Sequence, residues 1–151
     1  MKKFFTLIVA TLMASSMMAQ MHGAMTFAGP SSINVLTQNT GNACDTVRFE
    51  MASTSAGNIT LPVMQGMAAI PSFTIENVAF SMGENHVISI AEQTFTSKVT
   101  VNGEEKNIEG SSISGSYNMA DNSLTLKAVF KYGSMPFDLT YEVKAYYVKP
   151  V

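Results

Sequence analysis

The chain has 151 residues, with nine Lys/Arg against 11 Asp/Glu, a net charge of −2 and 46% hydrophobic residues. This describes one domain with enough apolar material for a core, and its scattered bases form no stripe of the kind nucleic acid requires. A single cysteine, Cys44, excludes an internal disulfide.

Lys2 and Lys3 form a positive start, Phe4 to Leu12 an apolar stretch too short for a membrane span, and Ala14, Ser15 and Ser16 a small-residue run before cleavage after Ala19. Residues 1–19 are therefore expected to be a signal peptide and residues 20–151 a single domain, periplasmic or secreted. Loss of Lys2 and Lys3 leaves seven bases against 11 acids, a charge of about −4. No later run has transmembrane length.

Eight strands are predicted, and together they account for most of the remaining chain. The first lies within Met25–Gln38 and bends at Gly29-Pro30. The second, Asp45–Ser53, puts Val47, Phe49 and Met51 on one face and Thr46, Arg48 and Glu50 on the other. The third is Asn58–Met64. The fourth, Ser72–Ser81, changes parity between Phe73/Ile75 and Val78/Phe80, which predicts a bulge near Asn77. The fifth spans His86–Val101 and changes parity at Ala91-Glu92, as one bulged strand or two short ones.

From Thr94 onward the pattern is an antiparallel meander. Asn102-Gly103 is the strongest short-range hairpin signal, and the sixth strand, Lys106–Tyr117, carries Gly110 and Gly115 where a barrel strand coils. The seventh, Ser123–Tyr132, aligns Leu124, Leu126, Ala128, Phe130 and Tyr132. The eighth, running from Phe137 to Tyr147, aligns Phe137, Leu139, Tyr141, Val143, Ala145 and Tyr147. Helical periodicity is absent, except that Val63–Ile70 reads as a short helix or turn ahead of Pro71. The fold class is all-β, an eight-stranded antiparallel up-and-down barrel. A two-sheet sandwich fits the same alternation, but short hairpins favour closure.

Three segments then carry a resemblance: Ile113-Ser114-Gly115-Ser116-Tyr117, Asn122-Ser123-Leu124-Thr125-Leu126 and Lys131-Tyr132-Gly133-Ser134-Met135-Pro136-Phe137. With Pro71-Ser72-Phe73-Thr74-Ile75-Glu76-Asn77-Val78, they resemble the calycin-like domain family of small exported proteins of Gram-negative bacteria. The resemblance implies a lipocalin-like barrel and supplies no catalytic residues.

Chemistry is sparse along the chain. His22 falls beside the cleavage region, and His86 follows the turn residues Gly83-Glu84-Asn85, so His86 reads as an exposed loop residue. Nothing around Cys44 marks an activated thiolate, and the thiol reads either as a buried small hydrophobe or as a partner for another molecule. Glu104, Glu105 and Glu109 surround a hairpin tip and read as solvated. No Gly-x-Ser-x-Gly element or zinc-ligand spacing occurs. The expectation is no enzyme, no cofactor and no metal.

Methionine is abundant: Met21, Met25, Met51, Met64, Met67, Met82, Met119 and Met135 follow the signal. Thioethers fill irregular space or line adaptable pockets. Met64, Met67 and Ile70 are the candidates for a loop at a barrel mouth. Phe130, Phe137, Tyr141 and Tyr147 are candidates for lining a cavity, with plain core packing as the other reading of all seven. Tyr146 and Val148 share the opposite face. The expected function is binding of a small apolar or amphipathic molecule in the barrel, with a protein-interaction or inhibitor module as the alternative. Partner identity is not legible.

Overall fold

A computed structural model describes residues 24–65 and 69–149. The signal-peptide expectation, His22, Met21 and Met67 lie outside the described residues.

The described residues form eleven strands, in chain order β1 (Met25–Val35), β2 (Gln38–Met51), β3 (Ala56–Leu61), β4 (Met64–Gln65), β5 (Ala69–Ile70) and β6 (Phe73–Ala79). They continue with β7 (Ser81–Met82), β8 (Val87–Val101), β9 (Glu104–Asn118), β10 (Ser123–Tyr132) and β11 (Leu139–Val148). A single 3-10 turn at Glu84–His86 interrupts them. The main sheet runs β6-β3-β2-β1-β11-β10-β9-β8-β7, and every pairing in it is antiparallel.

The main sheet therefore has nine strands and not eight, because two residues after β6 peel away and pair with β8 as β7. Of the two readings of 63–70, helix or turn, the described residues fit the turn: Met64 pairs with Ile70 and Gln65 with Ala69, a two-rung hairpin. Met64 and Ile70 are each 1% exposed and cover the barrel end that also carries the β1–β2, β8–β9 and β10–β11 turns. Apolar burial at that end outweighs the weak helical preference of a segment too short to sustain a helix.

The alternation makes the core. Leu124, Leu126, Ala128 and Phe130 of β10 and Leu139, Tyr141, Val143 and Ala145 of β11 point inward and are buried. Between them, Thr125, Lys127, Glu142 and Lys144 face out, and Lys127 pairs with Glu142 at 3.7 Å. Inside, Phe73 and Phe95 both contact Phe130 (ring centroids 5.4 and 6.3 Å), and Phe27 meets Tyr117 edge-on at 5.2 Å.

The parity breaks are bulges. Val78 pairs with Gly57 and Ile75 with Ile59, so Glu76 and Asn77 stand against Asn58 alone, with Asn77 at φ 57°. Ala91 and Glu92 stand against Ser114 alone, between Ile90↔Gly115 and Gln93↔Ile113, and β8 is one continuous bulged strand. The predicted turn holds as well. Val101 pairs with Glu104 across Asn102 (φ 53°) and Gly103 (φ 78°), the conformation that Asn-Gly adopts at least cost.

The barrel is nearly closed, not sealed. No backbone ladder joins β6 to β8, and side chains supply the missing rungs. Gln93 accepts from the Ala79 N–H at 2.9 Å and donates to the Ala79 carbonyl at 2.9 Å. Ser97 Oγ donates to the Thr74 carbonyl at 2.7 Å. The bulge at Ala91-Glu92 lets Gln93 turn toward this seam while Ile90 and Phe95, flanking it, stay buried.

Candidate functional site

Among the described residues, one carboxylate is buried in the apolar core. Asp45 is 6% exposed and shares the inward face of β2 with Val47 and Phe49. A carboxylate in such a place keeps its charge only when donors surround it. Tyr141 Oη donates to Asp45 Oδ2 at 3.0 Å, Ser31 Oγ donates to the same oxygen, and Asn42 Nδ2 donates to Oδ1.

The local backbone explains the convergence. Gly29 pairs with Asp45 and Ser31 with Asn42, so Pro30 stands opposite both Ala43 and Cys44. Proline cannot donate to a ladder, and the bulge forms where that rung is missing. It swings Asn42 back over Asp45, and the Asn42 Oδ1 accepts from the Cys44 N–H at 3.4 Å. Tyr141 arrives from β11 through its pairing with Ile33 on β1. Burial, followed by the adjacent Asp45 charge and their hydrogen bond, pushes the Tyr141 phenol well above the usual tyrosine range, so it remains a donor.

This cluster forms one wall of a cleft of about 440 Å³. Ser31, Thr40, Gly41, Asn42 and Asp45 give it polarity, while Ile33, Val63 and Met64 form the apolar side. None of the ion pairs among the described residues includes Asp45: Arg48 goes to Glu50, Lys98 to Glu105, Lys106 to Glu104 and Lys127 to Glu142.

The six described residues of the seven expected from the sequence do not gather at one place. Met64 lines the Asp45 cleft, and Tyr141 anchors it from behind. Ile70 is buried beneath Met64 in the end hairpin, and Phe130 sits in the stack with Phe73 and Phe95. Phe137 is half-buried after the β10–β11 turn. Tyr147 lies six residues along β11 from Tyr141, about 20 Å away at the strand rise, and packs on Phe27 with centroids 6.0 Å apart. Tyr141 and Tyr147 thus belong to opposite ends of the barrel.

The interior around Phe27, Phe49, Phe80, Ile88, Ile90, Tyr117 and Leu124 leaves about 20 Å³ free. This is room for about one water molecule and far below the roughly 300–1,000 Å³ of small-molecule sites. A second, wider cleft of about 900 Å³ opens at the seam, between Pro71–Glu76 of the β6 side and Thr96–Thr100 of β8.

Cys44 is exposed, contrary to the buried reading, because Asp45 takes the inward position beside it. His86 is exposed in the 3-10 turn as expected, on an element that does not adjoin β2. Glu104 and Glu105 are exposed and hold surface ion pairs with Lys106 and Lys98. Sequence reasoning missed Asp45, although a signal existed: it continues the inward parity of Val47 and Phe49.

The fold and cleft define an antiparallel, nearly closed β-barrel with a buried, hydrogen-bonded carboxylate at one end. The chain is similar to a solved "putative outer membrane protein" from Bacteroides fragilis, with a TM-score of 0.63 and 19% sequence identity. The match covers 82% of this chain and 50% of that one, so it spans about half the length of the solved chain, and the likeness is one of fold. No protein-family profile matches the chain, and no curated protein does. The outer wall here carries Thr125, Lys127, Glu142 and Lys144, whereas a lipid-facing barrel wall is an apolar band.

Proposed function

We propose that this chain is an exported, non-enzymatic, calycin-like barrel that binds a small amphipathic molecule at its end rather than in its lumen. The observation that carries the reading is the contrast in free space. About 440 Å³ lies beside Asp45 and Met64, against about 20 Å³ among the lumen aromatics. The end cleft has a polar wall and an apolar wall, as an amphipathic guest requires, and Met64 gives the apolar side an adaptable thioether. The polar outer wall fits a barrel surrounded by water in the periplasm or outside the cell.

Native mass spectrometry of the full chain purified from its own cell envelope tests this. The expected result is a co-purifying small mass that disappears in Thr40→Trp. Thr40 pairs with the inward-facing Ile33 and both line the cleft, so an indole there occupies it. A guest mass that persists in Thr40→Trp places binding elsewhere and overturns the reading.

A second reading, protein interaction, draws on the seam. The facing edges of β6 and β8 lack a mutual ladder and flank the 900 Å³ cleft, and an extended peptide recognises edges of this kind. Protection of the Thr96–Thr100 amides from exchange by a bound protein would favour it.

A further inference from the structure

Asp45 holds a negative charge that no described base answers. Three donors satisfy its hydrogen-bonding needs, yet Ser31, Asn42 and Tyr141 are neutral side chains, so the site as a whole remains anionic. A carboxylate accommodates about four hydrogen bonds, and three are in use, which leaves capacity for one more donor. The remaining approach is from the cleft, which Asp45 itself lines. In a partly desolvated cleft a cation gains far more from such a charge than it does in water.

The Asp45 carboxylate is 6% exposed, is matched by neither Lys nor Arg among the described residues, and lines space of ligand size. Opposite it stand Ile33, Val63 and Met64, and Val63 is 53% exposed, so the apolar wall is only partly covered.

The geometry points to an amphipathic cation as the guest, a primary ammonium or guanidinium directed at the Asp45 carboxylate with its apolar body against Ile33, Val63 and Met64. This inference rests on the end-cleft reading above and narrows it to one ligand chemistry.

Isothermal titration of the mature chain with n-hexylammonium, n-hexanol and n-hexanoate separates the two. The expected order is hexylammonium at least tenfold tighter than hexanol, with hexanoate not binding. In Asp45→Asn the ammonium affinity falls to that of hexanol, because the shape persists without the charge. Ser31 and Tyr141 can reorient their hydroxyls around an amide, so the neighbouring bonds have a route to survive. Thr40→Lys supplies an independent arm on an exposed residue of the cleft. Its own ammonium occupies the carboxylate and abolishes hexylammonium binding with the folded spectrum intact.

Equal affinity for hexanol and hexylammonium overturns the cation inference and leaves the end-cleft reading standing. So does an unchanged ammonium affinity in Asp45→Asn or Thr40→Lys. Failure of all three probes, together with a guest mass that survives Thr40→Trp, overturns both.

Discussion

The Tyr141 hydroxyl donates to Asp45 at 3.0 Å across 96 positions of sequence, tying the last long strand to the second through the barrel interior. This bond joins strands that are not neighbours in the sheet, since β1 lies between β2 and β11.

Removal of that donor tests the weight of the bond. Tyr141→Phe keeps the ring and takes one hydrogen bond from a buried carboxylate, a loss of about 1–3 kcal/mol. Urea denaturation should show a lower midpoint with an unchanged slope. A midpoint equal to that of the parent would mean that Ser31 and Asn42 suffice.

Alkali should act through the same residue. The Tyr141 phenol is raised above its ordinary value of 10.0 by burial and then by Asp45, and Tyr117 is raised by burial and then by Tyr147. In the unfolded chain both ionise near 10, so above that pH the folded state holds protons that the unfolded state has released. Stability is therefore complete below pH 10 and declines as pH rises past it. Phenolate absorbance should rise in two stages, with the late stage coinciding with unfolding. A titration in which all tyrosines ionise together in the folded protein would contradict the burial of Tyr141.

Gly110 lies directly under a ring. A Cβ there would come within 2.1 Å of Phe95 Cε1, so Gly110→Ala must displace Phe95 from its contact with Phe130, at about 1–3 kcal/mol. The double variant Gly110→Ala/Phe95→Leu should lose less stability than the two single losses combined. Simple additivity in thermal melts would rule out this contact as the cause.

The seam depends on Gln93. Gln93→Leu removes both bonds to Ala79 and should speed hydrogen exchange of the Ala79 amide by an order of magnitude or more, at a global cost of about 1 kcal/mol. An unaltered Ala79 rate would show that β6 and β8 are held together by other contacts.

The strand content was legible because most strands expose one face and bury the other, and parity then does most of the work. Val47 and Phe49, Leu124 to Phe130, and Leu139 to Ala145 all fall on the inward side that alternation assigns them. Even the bulges at Asn77 and Ala91-Glu92 were visible, because an extra residue must reverse the parity beyond it. Residues 38–44 were not legible as strand. Gln38 to Cys44 are all exposed and show no alternation, and they are extended only because Val35, Ile33 and Ser31 on β1 hold them in register.

The candidate site was less legible still. Met64 was singled out for a loop at the mouth and Tyr141 for a cavity lining that included Tyr147, and strand length separates Tyr141 from Tyr147. Asp45 was read only as the start of a strand. No pattern within β2 shows that Ser31 and Tyr141 will arrive to solvate its carboxylate.

The antiparallel alternation, the Asn102-Gly103 turn, the bulges and the all-β class are written locally, since each depends on residues within a few positions of one another. The nine-stranded main sheet, the meeting of β6 and β8 through Gln93, and the clefts at the seam and beside Asp45 came only with the folded chain. These depend on pairings between distant strands, where register and packing select among arrangements that local preference leaves equal.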